Sequence, residues 1–211
     1  MPRARFASVR EERAIHEAGH AVMLLDLCLH PGIVFVTIDN RRAGGEICRK
    51  GLPMLRANRA VYQIAGLAAQ ALDFEGRNPG VDRETVFKEN RDVCETDLEA
   101  LEKDHGIHGA RALAFMGECM ERLVPLRSQL QALTCELLQH GTLYNQEAWW
   151  VYSGEIEKLR WYRANREVGA PPRPWVEGTA PGCEPRPWYT PSAPERLSLD
   201  RNVLKRVGWL G

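Results

Sequence analysis

The sequence predicts a mainly α-helical domain with a small β-sheet, followed by a tail rich in proline and tryptophan. Three observations support this. Helical apolar spacing fills most of the first 166 residues, one short run is rich in β-branched residues, and most of the 13 prolines lie between Pro171 and Pro194. A chain of 211 residues can bury a core without disulfides or metal ions as staples.

The first elements are a long helix and a strand. Arg10–Leu29 has helical spacing and ends at the turn His30-Pro31-Gly32. Ile33–Ile38 is β-branched and aromatic, which predicts a strand, and Gly45–Cys48 is its expected antiparallel partner across the turn Asn40–Gly44.

Further helices follow along the chain. Leu55–Phe74 is helical in pattern, with small residues on one face that allow close packing. Glu75–Arg91 is polar and contains Asn-Pro-Gly, which predicts a loop. Three more helices are expected at Cys94–Lys103, Ala110–Gln139 and Asn145–Arg166.

These patterns divide the chain into a domain over residues 1–166 and an extension over 167–211. The extension contains Arg-Pro-Trp twice, and all six tryptophans lie at or after Trp149. Proline-rich sequence favours extended conformations, so this segment is expected to lie against the domain or against a partner.

Charge and composition exclude several classes of protein. Lys+Arg and Asp+Glu are balanced at 28 each, so a bulk electrostatic binder of nucleic acid is not expected. The longest apolar stretch is far short of the ~20 residues that span a bilayer, and the first residues do not resemble a signal peptide. Six dispersed cysteines without a CxxC pair suit a reducing compartment. We therefore expect a cytoplasmic protein without a membrane anchor.

The motif with chemical content is His-Glu-Ala-Gly-His at residues 16–20, an H-E-x-x-H pattern inside a predicted helix. A spacing of four residues puts His16 and His20 on one helix face, where both can bind one zinc ion. Glu17 can then act as general base towards a water molecule on the metal. The alternative is a surface helix with two incidental histidines.

Other histidines and carboxylates fit a zinc site less well. The metzincin pattern requires Gly and His where this chain has Met23 and Asp26. Asp26 belongs on another helix face and is expected to be solvated. His105 and His108 lie in a loop-like stretch and are expected at the surface.

The neighbourhood of this motif resembles the FtsH-type zinc peptidase domain, the protease half of membrane-anchored AAA+ proteases. Five segments agree with that family in order, across roughly Ser8 to Glu157: Ala14–Val22, Val36–Ile38 with Ala43–Gly45, Ile64–Leu72, Thr96–Glu99, and Leu133–Leu143 with Glu147.

The resemblance implies a helical, zincin-like zinc peptidase domain. It implies Zn²⁺ as cofactor, His16, His20 and Asp97 as metal ligands, and Glu17 as the catalytic base. Asp97 comes from the resemblance alone. The alternative carboxylate ligands are Glu95, Asp92 and Glu46.

The expected activity is hydrolysis of peptide bonds in unfolded or flexible polypeptides. Such a substrate is expected to pair with a free edge of the strand Val34–Ile38. No G-x-x-x-x-G-K-[ST] motif occurs, so the chain is expected to have no ATPase of its own. The sequence leaves open a separate unfoldase or adaptor protein, and assembly into a homo-oligomer.

A different class of function is a non-proteolytic, zinc-binding regulatory module that binds a partner through the tail. A separate hypothesis concerns the tail of the peptidase itself: the tail docks on the domain and restricts access to the zinc, with Cys183 as a candidate inhibitory thiolate. A disordered tail is the simplest alternative.

Overall fold

The computed structural model describes residues 7–27, 33–40, 44–49, 56–91 and 94–165. Helices dominate the described residues, and the strands form one sheet in the order β2-β1-β3. The prediction of a mainly helical protein with a small β-sheet is confirmed.

In chain order the elements are α1 (Val9–Asp26), β1 (Ile33–Asn40), β2 (Gly44–Arg49), α2 (Arg56–Arg77), α3 (Arg83–Arg91), α4 (Glu95–His105), α5 (Gly109–Leu123), a 3₁₀ turn (Val124–Leu126), α6 (Arg127–His140), β3 (Thr142–Tyr144), α7 (Asn145–Ser153) and α8 (Ile156–Asn165).

The chain divides into two compact units, Met1–Trp161 and Tyr162–Gly211. Only residues 162–165 of the second unit are described, and they are helical. The predicted tail, including Cys183, lies outside the described residues, so its docking remains a prediction. Among the described helices, none is long and apolar enough to cross a membrane.

Helix α1 is the central element of the first unit. It begins at Ser8, whose hydroxyl accepts a hydrogen bond from the Glu11 amide while the Glu11 carboxylate accepts one from the Ser8 amide. This capping box satisfies amide groups that a helix start leaves unpaired. The apolar residues of α1 from Ala14 to Leu25 are buried, and the helix packs against α2, α6 and the sheet.

The sheet is antiparallel throughout, and β1 is its central strand. Val36 lies opposite Ile47 of β2 on one side and opposite Leu143 of β3 on the other. The predicted pairing of the first two strands is therefore confirmed. The expected free edge of β1 is wrong, because β3 pairs with β1 from Phe35 to Thr37. A three-residue strand such as β3 is too short to show a period of two in the sequence.

The predicted loop over Glu75–Arg91 is also wrong. Helix α2 continues to Arg77, and α3 begins at Arg83 after a short turn in which Gly80 has φ +87°. Asp82 caps α3 by accepting hydrogen bonds from the Thr85 amide and hydroxyl. Val86 of this helix is buried, and Phe87 beside it is the other apolar residue, so two adjacent positions gave no helical periodicity.

Two helices expected to be continuous are each divided in two. The Ala110–Gln139 prediction covers α5 and α6, separated by a 3₁₀ turn containing Pro125, which has no amide hydrogen to donate. The Asn145–Arg166 prediction covers α7 and α8. Gly154 ends α7 with φ +77°, a conformation that glycine adopts without strain.

Candidate metal centre

The two histidines of the motif lie on the inward face of α1. His20 is 4% exposed, Glu17 is 7% exposed, and the His16 side chain is 14% exposed. The Nε2 atoms of His16 and His20 are 3.1 Å apart, as expected for imidazoles that are one helical turn apart and point towards the same position. The prediction that both histidines share one face is confirmed.

Small residues bring α2 unusually close to this face. A Cβ atom added to Gly19 would lie 2.5 Å from the Ala65 carbonyl oxygen of α2. A Cβ atom added to Gly66 would lie 2.5 Å from His16 Cε1 and 2.6 Å from His20 Nε2. Glycine at both positions therefore allows the α2 backbone to contact α1 and its imidazoles directly.

Asp97, in the first turn of α4, supplies the third candidate ligand. Its Oδ2 atom lies 3.0 Å from His16 Nε2 and 3.1 Å from His20 Nε2. These three residues could hold a metal ion. The group is the one expected from the family resemblance, although residues 16 and 97 are far apart in sequence.

The separations within this group suit a small divalent ion. In a tetrahedral zinc site with bonds of about 2.0–2.1 Å, neighbouring ligand atoms lie about 3.3 Å apart. The observed 3.0–3.1 Å is within a few tenths of an ångström of that value. Among the described residues, the group contains three ligand atoms, so a further coordination position is left for water or substrate.

The outer nitrogen of each imidazole has a hydrogen-bond acceptor. His20 Nδ1 lies 2.8 Å from the Tyr62 carbonyl oxygen, and His16 Nδ1 lies 3.2 Å from Gln70 Oε1. A carbonyl oxygen can only accept, so His20 Nδ1 carries a hydrogen, and in the neutral ring the Nε2 lone pair is then the one available to a metal. Both acceptors are contributed by α2.

The thiol of Cys94 also lies close to the His16 imidazole. Cys94 is buried just before α4, with Sγ 2.9 Å from Gln70 Oε1 and 3.5 Å from His16 Nδ1. No role was predicted from the sequence for Gln70, Cys94 or the Tyr62 carbonyl. Gln70 could have been noticed, because it is the single polar residue in the run Ile64–Leu72.

The charges of the three residues depend on one another. Burial disfavours protonated imidazole, but the hydrogen bonds and charge of Asp97 outweigh it, raising the pKa of His16 to about 10 and that of His20 to about 9. Burial likewise disfavours the Asp97 carboxylate, yet the two imidazoles hold its pKa well below the usual range.

Glu17 lies beside the group without belonging to it. Its charge helps to raise the pKa of His20, which places the carboxylate within electrostatic reach of the site. A buried carboxylate next to a metal site, but not among the ligands, has the placement that a general base requires. Its catalytic role remains a prediction.

Of the alternative ligands, Glu95 is the one whose side chain the structure describes, and it does not join the group. Glu95 is exposed on α4, Asp92 lies outside the described residues, and the side chain of Glu46 is not described. Asp26 accepts hydrogen bonds from Arg122 Nε at 3.1 Å and Nη2 at 2.8 Å, so it is ion-paired instead of only solvated.

The histidines expected at the surface behave differently from each other. His108 is exposed, as predicted. His105 is buried at the end of α4, so its predicted surface position is wrong. Gly106, with φ +66°, turns the chain after His105, and Ile107, which follows it, is buried in the core.

No protein-family profile matches the chain, and no curated protein matches it. The resemblance to FtsH-type peptidases therefore remains a hypothesis based on the motif and the ordered segments.

Proposed function

We propose that the chain is a zinc metallopeptidase of the FtsH type that hydrolyses peptide bonds in unfolded or flexible polypeptides. One observation carries the proposal. His16 Nε2, His20 Nε2 and Asp97 Oδ2 lie 3.0–3.1 Å from one another, with Glu17 next to the first ligand on the same helix.

The ligand set favours catalysis over a purely structural metal. Structural zinc sites are closed by four protein ligands, whereas catalytic sites use three and keep one position open. The Asp97 side chain is 25% exposed, so the group is open to solvent at this point. A structural site would also have no use for a buried carboxylate beside it.

Zinc is the proposed metal because of the donor atoms. Two imidazole nitrogens and one carboxylate oxygen form a set that zinc binds in hydrolases. When bound, zinc would polarise the scissile carbonyl and lower the pKa of a coordinated water molecule from 15.7 to about 7.

The protein residues then have separate tasks. His16, His20 and Asp97 hold the ion and compensate part of its charge. The Tyr62 carbonyl and Gln70 orient the two imidazoles through hydrogen bonds to Nδ1. Glu17 accepts a proton from the attacking water and returns it to the leaving amine, as a general base and then a general acid.

The proposed substrates are polypeptides that are already extended. Folded domains are stable by ~5–15 kcal/mol, so a peptidase without an unfoldase meets only their rare open states. The sequence has no phosphate-binding loop of the Walker type, so cleavage by the purified chain is expected to be indifferent to ATP. An unfoldase or adaptor on another chain would extend the range of substrates.

The test compares Glu17→Gln with the wild type and with Glu95→Gln as the matched control. Loss of a general base typically lowers the rate by about 10²–10⁴-fold. Glu17→Gln should therefore retain zinc in elemental analysis but lose casein hydrolysis, while Glu95→Gln should retain both, because Glu95 is exposed and outside the ligand group. The assays include ATP and a chelator.

Equal casein hydrolysis by the wild type and Glu17→Gln would remove Glu17 from catalysis. A wild-type protein that binds zinc but cleaves no unfolded substrate would favour the non-proteolytic zinc-binding module.

A further inference from the structure

Gln70 joins three parts of the candidate metal centre through hydrogen bonds. Its side chain is 3% exposed and lies on α2, among small residues that contact α1. Oε1 accepts from His16 Nδ1 at 3.2 Å and from Cys94 Sγ at 2.9 Å, while Nε2 donates to the Glu12 carbonyl oxygen at 3.4 Å. A buried amide with this many partners has little freedom to rotate.

These partners determine which way the amide faces. The Glu12 carbonyl can only accept a hydrogen bond, so the NH₂ group of Gln70 must face it. Oε1 then faces His16, which must carry its hydrogen on Nδ1 in order to donate. When the imidazole is neutral, the remaining nitrogen, Nε2, then has its lone pair directed at Asp97 and His20. A backbone carbonyl one turn before His16 thus selects the imidazole tautomer that a metal needs.

The Gln70 amide is also linked, through Cys94, to the helix that carries Asp97, the third candidate ligand. Cys94 directly precedes α4, and Asp97 lies in the first turn of that helix. The Cys94 side chain makes no capping hydrogen bond with α4 itself. Its hydrogen bond to Gln70 instead ties the start of α4 to α2.

We propose that Gln70, supported by Cys94, is a positioning residue of the metal centre: it holds His16 in the metal-binding tautomer and places the start of α4 beside α1. This inference rests on the metal site of the proposed function and extends it to residues outside the ligand set. Gln70 is an uncharged side chain, so it orients His16 without adding to the charge of the site.

The experiment measures zinc dissociation constants by competition with a chromophoric chelator. Gln70→Met keeps the length of the side chain but removes both hydrogen-bonding groups, and loss of such outer partners typically weakens metal binding by about 10–100-fold. Gln63→Met is the matched control. Gln63 is also a buried amide on α2, and its Nε2 donates a hydrogen bond to Asp104 Oδ2 at 2.9 Å. Asp104 lies on α4, seven residues after Asp97.

A conservative variant separates positioning from simple packing. Gln70→Glu keeps an acceptor for His16 Nδ1 and Cys94, but places an oxygen against the Glu12 carbonyl. It should bind zinc within about threefold of the wild type or more tightly, since a charged acceptor strengthens the hydrogen bond. The melting temperature of its metal-free form should fall.

A third readout reports on the tautomer itself. In the zinc-loaded wild type, the His16 Nδ1 proton should give an NMR signal that exchanges slowly with water, because Gln70 holds it in a buried hydrogen bond. In zinc-loaded Gln70→Met this signal should exchange rapidly, and in Gln63→Met it should be unchanged.

Weak zinc binding in Gln70→Met alone, with recovery in Gln70→Glu, supports the proposal. Unchanged binding in Gln70→Met, or an equal loss in Gln63→Met, overturns it. A wild type that binds zinc but cleaves no polypeptide removes the proposed peptidase activity and leaves this inference standing. A wild type that binds no zinc overturns both.

Discussion

Gly66 of α2 is the position where a single methyl group should damage the metal centre most directly. Its ideal Cβ would lie 2.5 Å from His16 Cε1 and 2.6 Å from His20 Nε2. Non-bonded carbon atoms normally lie about 3.5–4.0 Å apart, so Gly66→Ala requires a displacement of about 1 Å between α2 and the imidazoles. Metal ligands tolerate about 0.2 Å, and we therefore expect zinc binding to weaken at least tenfold.

Gly76, on the same helix, provides the control for helix propensity. A Cβ added there meets nothing within 4 Å, and the residue is exposed. Gly76→Ala should stabilise the protein by about 0.5–1 kcal/mol, since alanine is the better helix former. The free energy of unfolding of metal-free Gly66→Ala should lie about 1–3 kcal/mol below that of Gly76→Ala, which is the usual cost of overpacking a core.

Both variants are measured by denaturant unfolding without metal and by chelator competition with zinc. The reasoning is refuted if Gly66→Ala binds zinc as the wild type does and is as stable as Gly76→Ala. Weak zinc binding with normal metal-free stability would show that the imidazoles move easily, while α2 keeps its place.

Three further predictions concern the ligands, the pH dependence and the thiols. Asp97→Ala should lose zinc in elemental analysis, whereas Asp26→Ala should keep it and lose the partly buried ion pair with α5, worth about 1 kcal/mol of stability. The pKa values of the site imidazoles are raised to about 10 and 9, so both are protonated at pH 7, and zinc binding there should release about two protons. Affinity should therefore rise with pH up to about 10, the higher of the two pKa values. Calorimetry in buffers of different ionisation enthalpy measures the protons, and a pH-independent affinity would contradict the assignment. Burial raises the pKa of the Cys119 thiol to about 12, so iodoacetamide should modify exposed Cys135 in the folded protein and reach Cys119 only on unfolding, as mapped by mass spectrometry.

Local patterns in the sequence were sufficient to predict two of the three candidate ligands, His16 and His20. The helical period alone puts residues 16 and 20 on one face, and capping by Ser8 starts that helix independently of its surroundings. The hairpin of β1 and β2 was predictable for the same reason, because its partners are neighbours in sequence. The division of the long C-terminal helices was also encoded locally, by Pro125 and Gly154, although the apolar pattern masked it.

The third candidate ligand and the hydrogen-bond partners of the imidazoles depend on how the helices pack. Asp97 lies 77 residues beyond His20, and no period relates the two. They meet because α2 packs against both α1 and α4, and glycine and alanine let its backbone approach the imidazoles. The resemblance to a known family suggested Asp97, but the roles of Gln70, Cys94 and the Tyr62 carbonyl emerged only in three dimensions. A hydrogen bond between distant segments leaves no spacing in the sequence, so tertiary structure alone decides which buried polar group faces the metal site.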